Sequence, residues 1–209
     1  MDYRQLFVEI LATLKGHGSI EVSHDYIGEA VPCDDFSYRL ILKDSKVKLS
    51  ERLLEFYYSI SECSIEWQCN LKKHKRIKKF RPGDSMVSGR IQIRPLEEML
   101  LFDKKLEADW WTKILSKKEK AELRNFRYLD YNDDHSRVGF IMEDKVIRDD
   151  KLYFIAQEEG FYPVDLTFDE YIKKWEVYKG YQGWQYNYMF QNTENYRRME
   201  HYLVQLFPK

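Results

Sequence analysis

Three groups of residues in this chain have the types and spacing to do chemistry: a string of acids, a run of bases and a cluster of aromatics. Residues 130–170 hold twelve acids, among them Asp130, Asp133, Asp134, Glu143, Asp144, Asp149 and Asp150, against four bases, a net of −8. Asp130-x-Asn132-x-Asp134 opens like a calcium loop. Such a loop also needs glycine at its sixth position and a bidentate glutamate at its twelfth, and here those positions are His135 and Ile141. The acids read better as strand-linking turns, where Asp and Asn tighten the chain and keep sheet edges in water. Asp133, Asp134, His135 and Glu143 can be assembled into a metal-hydrolase site on paper, but nothing in their spacing demands one. No two of the histidines at 17, 24, 74, 135 and 201 have zinc spacing. The sequence has no Cys-x-x-Cys, nucleophile elbow, phosphate-cradling glycine loop or dinucleotide fingerprint. No metal or cofactor is expected.

The basic run is Lys72-Lys73-His74-Lys75-Arg76-Ile77-Lys78-Lys79-Phe80-Arg81, seven cations in ten residues. Such a run can hold phosphate backbone in a salt-dependent way, but its commoner use is a solvated hairpin loop. The formal net charge of the whole chain is −1, which argues against a nucleic-acid binder. Tyr181, Trp184, Tyr186 and Tyr188 form an aromatic cluster that serves equally as core lid or interface anchor. An acidic surface, by contrast, suits the cationic cleft of a nucleic-acid enzyme, since complementary charge speeds encounter and selects the partner.

The elements must position these groups. A chain of 209 residues buries about 70% of its unfolded surface and needs no disulfide or metal to fold. Cys33, Cys63 and Cys69 lack framework spacing and fit reduced thiols. Glu9 interrupts the first apolar stretch and no long uncharged run follows, so the expectation is a cytoplasmic protein with no membrane anchor.

Asp2 with Gln5 marks the start of a helix over 2–14, and Gly16 and Gly18 end it. Residues 19–35 give no clear pattern, and 36–43 read as a strand. Ser50 caps a helix over 50–60. Cys63, Ile65, Trp67 and Cys69 alternate with polar residues, as do Ile91 and Ile93 with Arg90, Gln92 and Arg94. The strands 63–69 and 89–94 should pair as a hairpin with the basic run in its loop. A short helix starts at Pro95, and a second covers 108–125. Strands follow at 126–131, 137–142, 151–156 and 161–165. Thr167 with Glu170 caps a helix over 168–179, a helical turn spans 184–190, and a last helix covers 194–206. No repeat or linker divides the chain, so residues 1–209 read as a single α+β domain, a mostly antiparallel sheet flanked by helices.

The order of several segments resembles the SUKH superfamily. These are Leu49-Ser50-Glu51-Arg52-Leu53-Leu54-Glu55-Phe56-Tyr57, Ile65-Glu66-Trp67, Gly89-Arg90-Ile91-Gln92-Ile93 and Leu152-Tyr153-Phe154-Ile155. Val164-Asp165-Leu166-Thr167-Phe168-Asp169-Glu170-Tyr171 and Gly180-Tyr181-Gln182-Gly183-Trp184-Gln185 complete the order. The resemblance covers 45–190. The superfamily includes a yeast cell-wall-synthesis regulator and bacterial immunity proteins of polymorphic toxin systems. Ser61-Glu62-Cys63 departs from the glycine-rich turn common after the family's Phe-Tyr helix.

The resemblance implies a compact binding scaffold without family-wide catalytic residues. In the bacterial branch such a scaffold neutralises a cognate toxin, of nuclease or deaminase type. The expected function is thus a non-catalytic immunity protein that occludes a toxin. Its expected contact residues are Asp130, Asp133, Asp134, Glu143, Asp144, Asp149, Asp150, Tyr181 and Trp184. The alternatives are a regulatory or scaffold module of the cell-wall-regulator type and a metal-dependent hydrolase built on the acidic turns.

Overall fold

Caps and apolar periodicity set the first half of the chain. Asp2 accepts a hydrogen bond from the Gln5 N–H and starts helix α1 (Tyr3–Gly16), whose buried stripe is Tyr3, Phe7, Ile10 and Leu14. Strand β1 (Ile20–Ile27) and helix α2 (Phe36–Ser45) follow. Two-residue β2 (Lys48–Leu49) leads into α3 (Glu51–Ser59), capped by Ser50 and burying Leu53, Phe56 and Tyr57. Alternation then builds the hairpin of β3 (Cys63–Asn70) and β4 (Met86–Ile93), paired from Cys63↔Ile93 to Asn70↔Met86. Short α4 (Leu96–Leu100) comes next.

In the second half, Ser116 and Glu119 form a capping box at α5 (Lys117–Asn125). Strands β5 (Phe126–Asp133), β6 (Ser136–Ile141), β7 (Val146–Ile147), β8 (Leu152–Ala156) and β9 (Gly160–Val164) are joined by short turns. The Thr167–Glu170 capping box starts α6 (Phe168–Tyr178), followed by α7 (Trp184–Met189) and α8 (Glu194–Leu206).

The structure, a computed structural model, describes all residues except 75–76, 102–111, 114, 134–135, 157–159, 192 and 209, with the backbone alone at 132–133. Seven antiparallel strands lie in the order β1-β3-β4-β5-β6-β8-β9, and β2 pairs with β7 in parallel beside them. The fold is α+β, as expected. Helices α1, α3, α6 and α8 bury one face of the sheet in a core that runs from Tyr3 to Leu206. Tyr3, Phe56 and Phe168 meet edge to face at its centre, with Phe56 5.2 Å from each of the other two rings. On the opposite, outer face a smaller cluster of Leu115, Leu123, Phe126, Tyr128 and Ile155 covers the β5–β9 half.

Two expectations need correction, and residues 19–35, without a clear pattern in the sequence, hold a strand. Residues 36–43 are not a strand: Asp35 caps them into α2, with Tyr38 turned inward and Phe36 and Leu40 exposed four residues apart. Residues 20–27 form an edge strand, paired among the described residues only with β3. The helix expected over 108–125 begins at Lys117; residues 108–111 and 114, with Trp110 and Trp111, lie outside the described residues.

The segment after α6 crosses β4 at close range. Lys179 ends α6 with φ 51° and Gly180 continues with φ 71°. The Arg90 N–H donates to the Gly180 carbonyl at 2.6 Å, and the Gln182 N–H donates to the Ser88 carbonyl at 3.0 Å. Trp67 Nε1–H donates to the Lys179 carbonyl at 2.6 Å. Residues 180–182 thus occupy the edge of β4 that β5 leaves, since among the described residues β4 and β5 pair in register only at Ile93↔Asp130.

Candidate functional site

The acids of 130–170 part company in the structure. A bulge in β5 places Tyr128 opposite Gly139 but Asp130 opposite Val138. The extra residue shifts the phase of alternation, so Asp130 turns into the core. There Tyr171 donates its hydroxyl to Asp130 Oδ2, and Gln185 Nε2 stands 3.4 Å from the same oxygen. Burial first, then the Asp130 charge, pushes the Tyr171 phenol well above its ordinary range, so it stays a donor. Asp130 is fully buried and cannot form a contact surface, which corrects the expectation.

Trp184 needs the same correction. It is fully buried and packs 5.0–5.3 Å from Tyr171, Trp175 and Tyr178. Tyr181 is half-buried against the core, with burial raising its phenol pKa.

The described acids that remain follow β6 in the chain. Glu143 and Asp144 stand exposed in the turn after it. Glu143 and Val146 exchange backbone hydrogen bonds of 3.0 and 2.7 Å across Asp144 (φ 48°) and Lys145 (φ 62°), the positive φ pair that a tight two-residue turn of this kind needs. Asp150 is exposed at the same end, whereas Asp149 is half-buried and 3.8 Å from Arg52. Arg52 also pairs with Asp169. Asp134 and His135 lie outside the described residues, and of Asp133 only the backbone is described.

Of the metal-hydrolase alternative, Asp134, His135 and the Asp133 side chain lie outside the described residues. Among the described residues no three His, Cys, Asp or Glu side chains gather as metal ligands. Cys63 and Cys69 face the core from β3, and burial raises both thiol pKa values, as small packed hydrophobes would have them. Cys33 is exposed.

The described part of the basic run is moored to α8. Ile77 is buried. The Lys78 N–H donates to Gln205 Oε1 at 2.7 Å, and the Phe80 N–H to the Tyr202 hydroxyl at 3.0 Å. Asp84 closes the loop by accepting from Tyr202 (2.5 Å), Arg198 (3.0 Å) and the Arg81 N–H (3.1 Å). Burial opposes its charge, but these donors prevail and hold its carboxyl below the ordinary range. Lys72, Lys73, Lys78 and Lys79 remain exposed around this anchor.

Sequence reasoning missed a third grouping. On the outer face, Arg90 of β4 and Arg94 just past it meet Tyr128 and Tyr131 of β5 and Arg137 of β6. The Arg94 guanidinium lies 4.0 Å from the Tyr128 ring centre and Arg90 lies 5.4 Å from Tyr131. Arg137 lies 5.5 and 5.1 Å from the two rings, a cation–π cluster across three strands. The outward alternation of Arg90, Gln92 and Arg94 was a visible signal; the strand beside them was not.

No protein-family model and no curated protein matches this sequence. No helix among the described residues is long and apolar enough to cross a membrane.

Proposed function

We propose that this chain is a non-catalytic protein-binding domain, an immunity protein of the SUKH type that neutralises a cognate toxin by covering its active cleft. One observation carries the reading: among the described residues the candidate chemical groups diverge. Asp130 is held in the core by Tyr171 and Gln185, while Glu143, Asp144 and Asp150 project from turns at one end of the sheet. Turns fixed to a rigid sheet are suited to presenting charge to a partner, and less suited to closing around a substrate.

The contact surface we assign is this end, with Glu143, Asp144, Asp150 and the exposed Asp165 just past β9. Lys145, Arg148 and Lys151 are interleaved with them, so the pattern, more than the net charge, would select the partner. The SUKH resemblance and the α+β architecture support the same reading.

The test is association with the product of the adjoining reading frame. Replacing Glu143, Asp144 and Asp150 by Gln, Asn and Asn should slow association at least several-fold at low salt and leave the melting temperature nearly unchanged. An unaltered on-rate removes this surface from consideration. Metal-dependent turnover of a phosphoester by the purified chain removes the whole reading.

A further inference from the structure

Arg137 is 7% exposed, and its Nε and Nη1 have no hydrogen-bond partner among the described residues. A guanidinium keeps its proton at any ordinary pH, so burial cannot neutralise it. The neighbouring arginines have carboxylates. Arg94 contacts Glu98 Oε2 through Nη2 at 2.7 Å and Nε at 3.0 Å. Arg90 Nε is 3.2 Å from Glu66 Oε1, a pairing of charge without hydrogen-bond alignment. Arg137 has only the faces of Tyr128 and Tyr131, and no carboxylate among the described residues. Ring quadrupoles offset part of the cost of burying a cation; an anion is needed for the remainder. Gln92 lies between Arg90 and Arg94 on the same face, and its side-chain oxygen is likewise without a partner among the described residues. The amide turned about would aim its NH₂ outward as a further donor.

We propose that Arg137, with Arg90 and Arg94 around Tyr128 and Tyr131 on the outer face of β4–β6, binds a small oxyanion of the phosphate or carboxylate class. The ligand is small because a guanidinium sunk this far is out of reach of a flat protein surface. The proposal is independent of the partner-binding reading, which uses the turns at the end of the sheet.

The test is calorimetric titration and thermal shift of the full chain with inorganic phosphate and with malonate, against chloride at equal ionic strength. Saturable binding of either anion is expected, with phosphate alone marking a tetrahedral site, malonate alone a planar one, and both a general oxyanion site. Arg137→Gln should weaken binding at least tenfold, and Arg137→Lys, which keeps the charge without the fork, by a smaller factor. If Arg137→Gln fails to fold, Arg94→Gln serves in its place and should weaken binding several-fold. Equal responses from the native chain and the folded variant mean an adventitious ion only and overturn the site. Absence of saturable binding by both anions overturns it as well. Because no partner is present in this experiment, neither result bears on toxin binding.

Discussion

Replacing Gly89 by alanine probes the crossing of residues 180–182 over β4. A Cβ built on Gly89 would lie 2.2 Å from Trp67 Nε1 and 2.6 Å from the Gly180 carbonyl oxygen. Neither neighbour can yield cheaply. The Trp67 ring is packed in the core and donates to the Lys179 carbonyl at 2.6 Å, while the Gly180 carbonyl accepts from the Arg90 N–H at 2.6 Å. Overpacking of this kind costs about 1–3 kcal/mol. Displacing the two hydrogen bonds adds about 1 kcal/mol each. The expected loss is therefore about 3–5 kcal/mol, a large part of the stability of an ordinary domain. Urea unfolding followed by tryptophan fluorescence measures it directly, since Trp67, Trp175 and Trp184 are all buried. Gly16→Ala is the control: a Cβ there meets nothing within 4 Å, and a helical site gains about 0.5–1 kcal/mol on the change. A Gly89→Ala loss below about 1 kcal/mol would refute the claim that this crossing has no room for a methyl group.

Three other outcomes follow from the same structure. Tyr171→Phe removes a buried donor to Asp130 and should cost about 2 kcal/mol in the same unfolding assay, with no change in partner binding. Thr167→Ala breaks the capping box of α6 and should cost about 1 kcal/mol. The depressed pKa of Asp84 means that its contribution to stability is present above the ordinary aspartate range and is lost as pH falls through its lower folded-state value. Melting curves of the native chain and Asp84→Asn should therefore differ near neutral pH and converge below about pH 4.

How far the sequence could be read depended on how local each signal was. The β3–β4 hairpin was legible because both strands carry an uninterrupted period of two. The helices α1, α3, α6 and α8 were legible from their caps and apolar stripes. Strand β1 was not, because an edge strand with five of its eight residues exposed offers little alternation. Helix α2 was misread because Phe36, Tyr38 and Leu40 alternate like a strand, and only the Asp35 cap argues otherwise. Asp130 was placed outside because a bulge leaves no mark in an otherwise regular pattern. The arginine–tyrosine cluster depends on β4 lying against β5, a pairing more than thirty residues apart that no local spacing encodes.

Among the described residues β4 and β5 share one register pair, Ile93↔Asp130, beside the Arg94 N–H to Leu129 carbonyl bond, so the seven-stranded sheet reads as two half-sheets joined at a seam, β1-β3-β4 on one side and β5-β6-β8-β9 on the other. Each half is built from a continuous stretch of chain, and the strip at 180–182 that clasps the seam comes later than both. During synthesis the two halves therefore leave the ribosome before the piece that fastens them, and truncation before residue 180 should unzip the sheet where the fastener is missing.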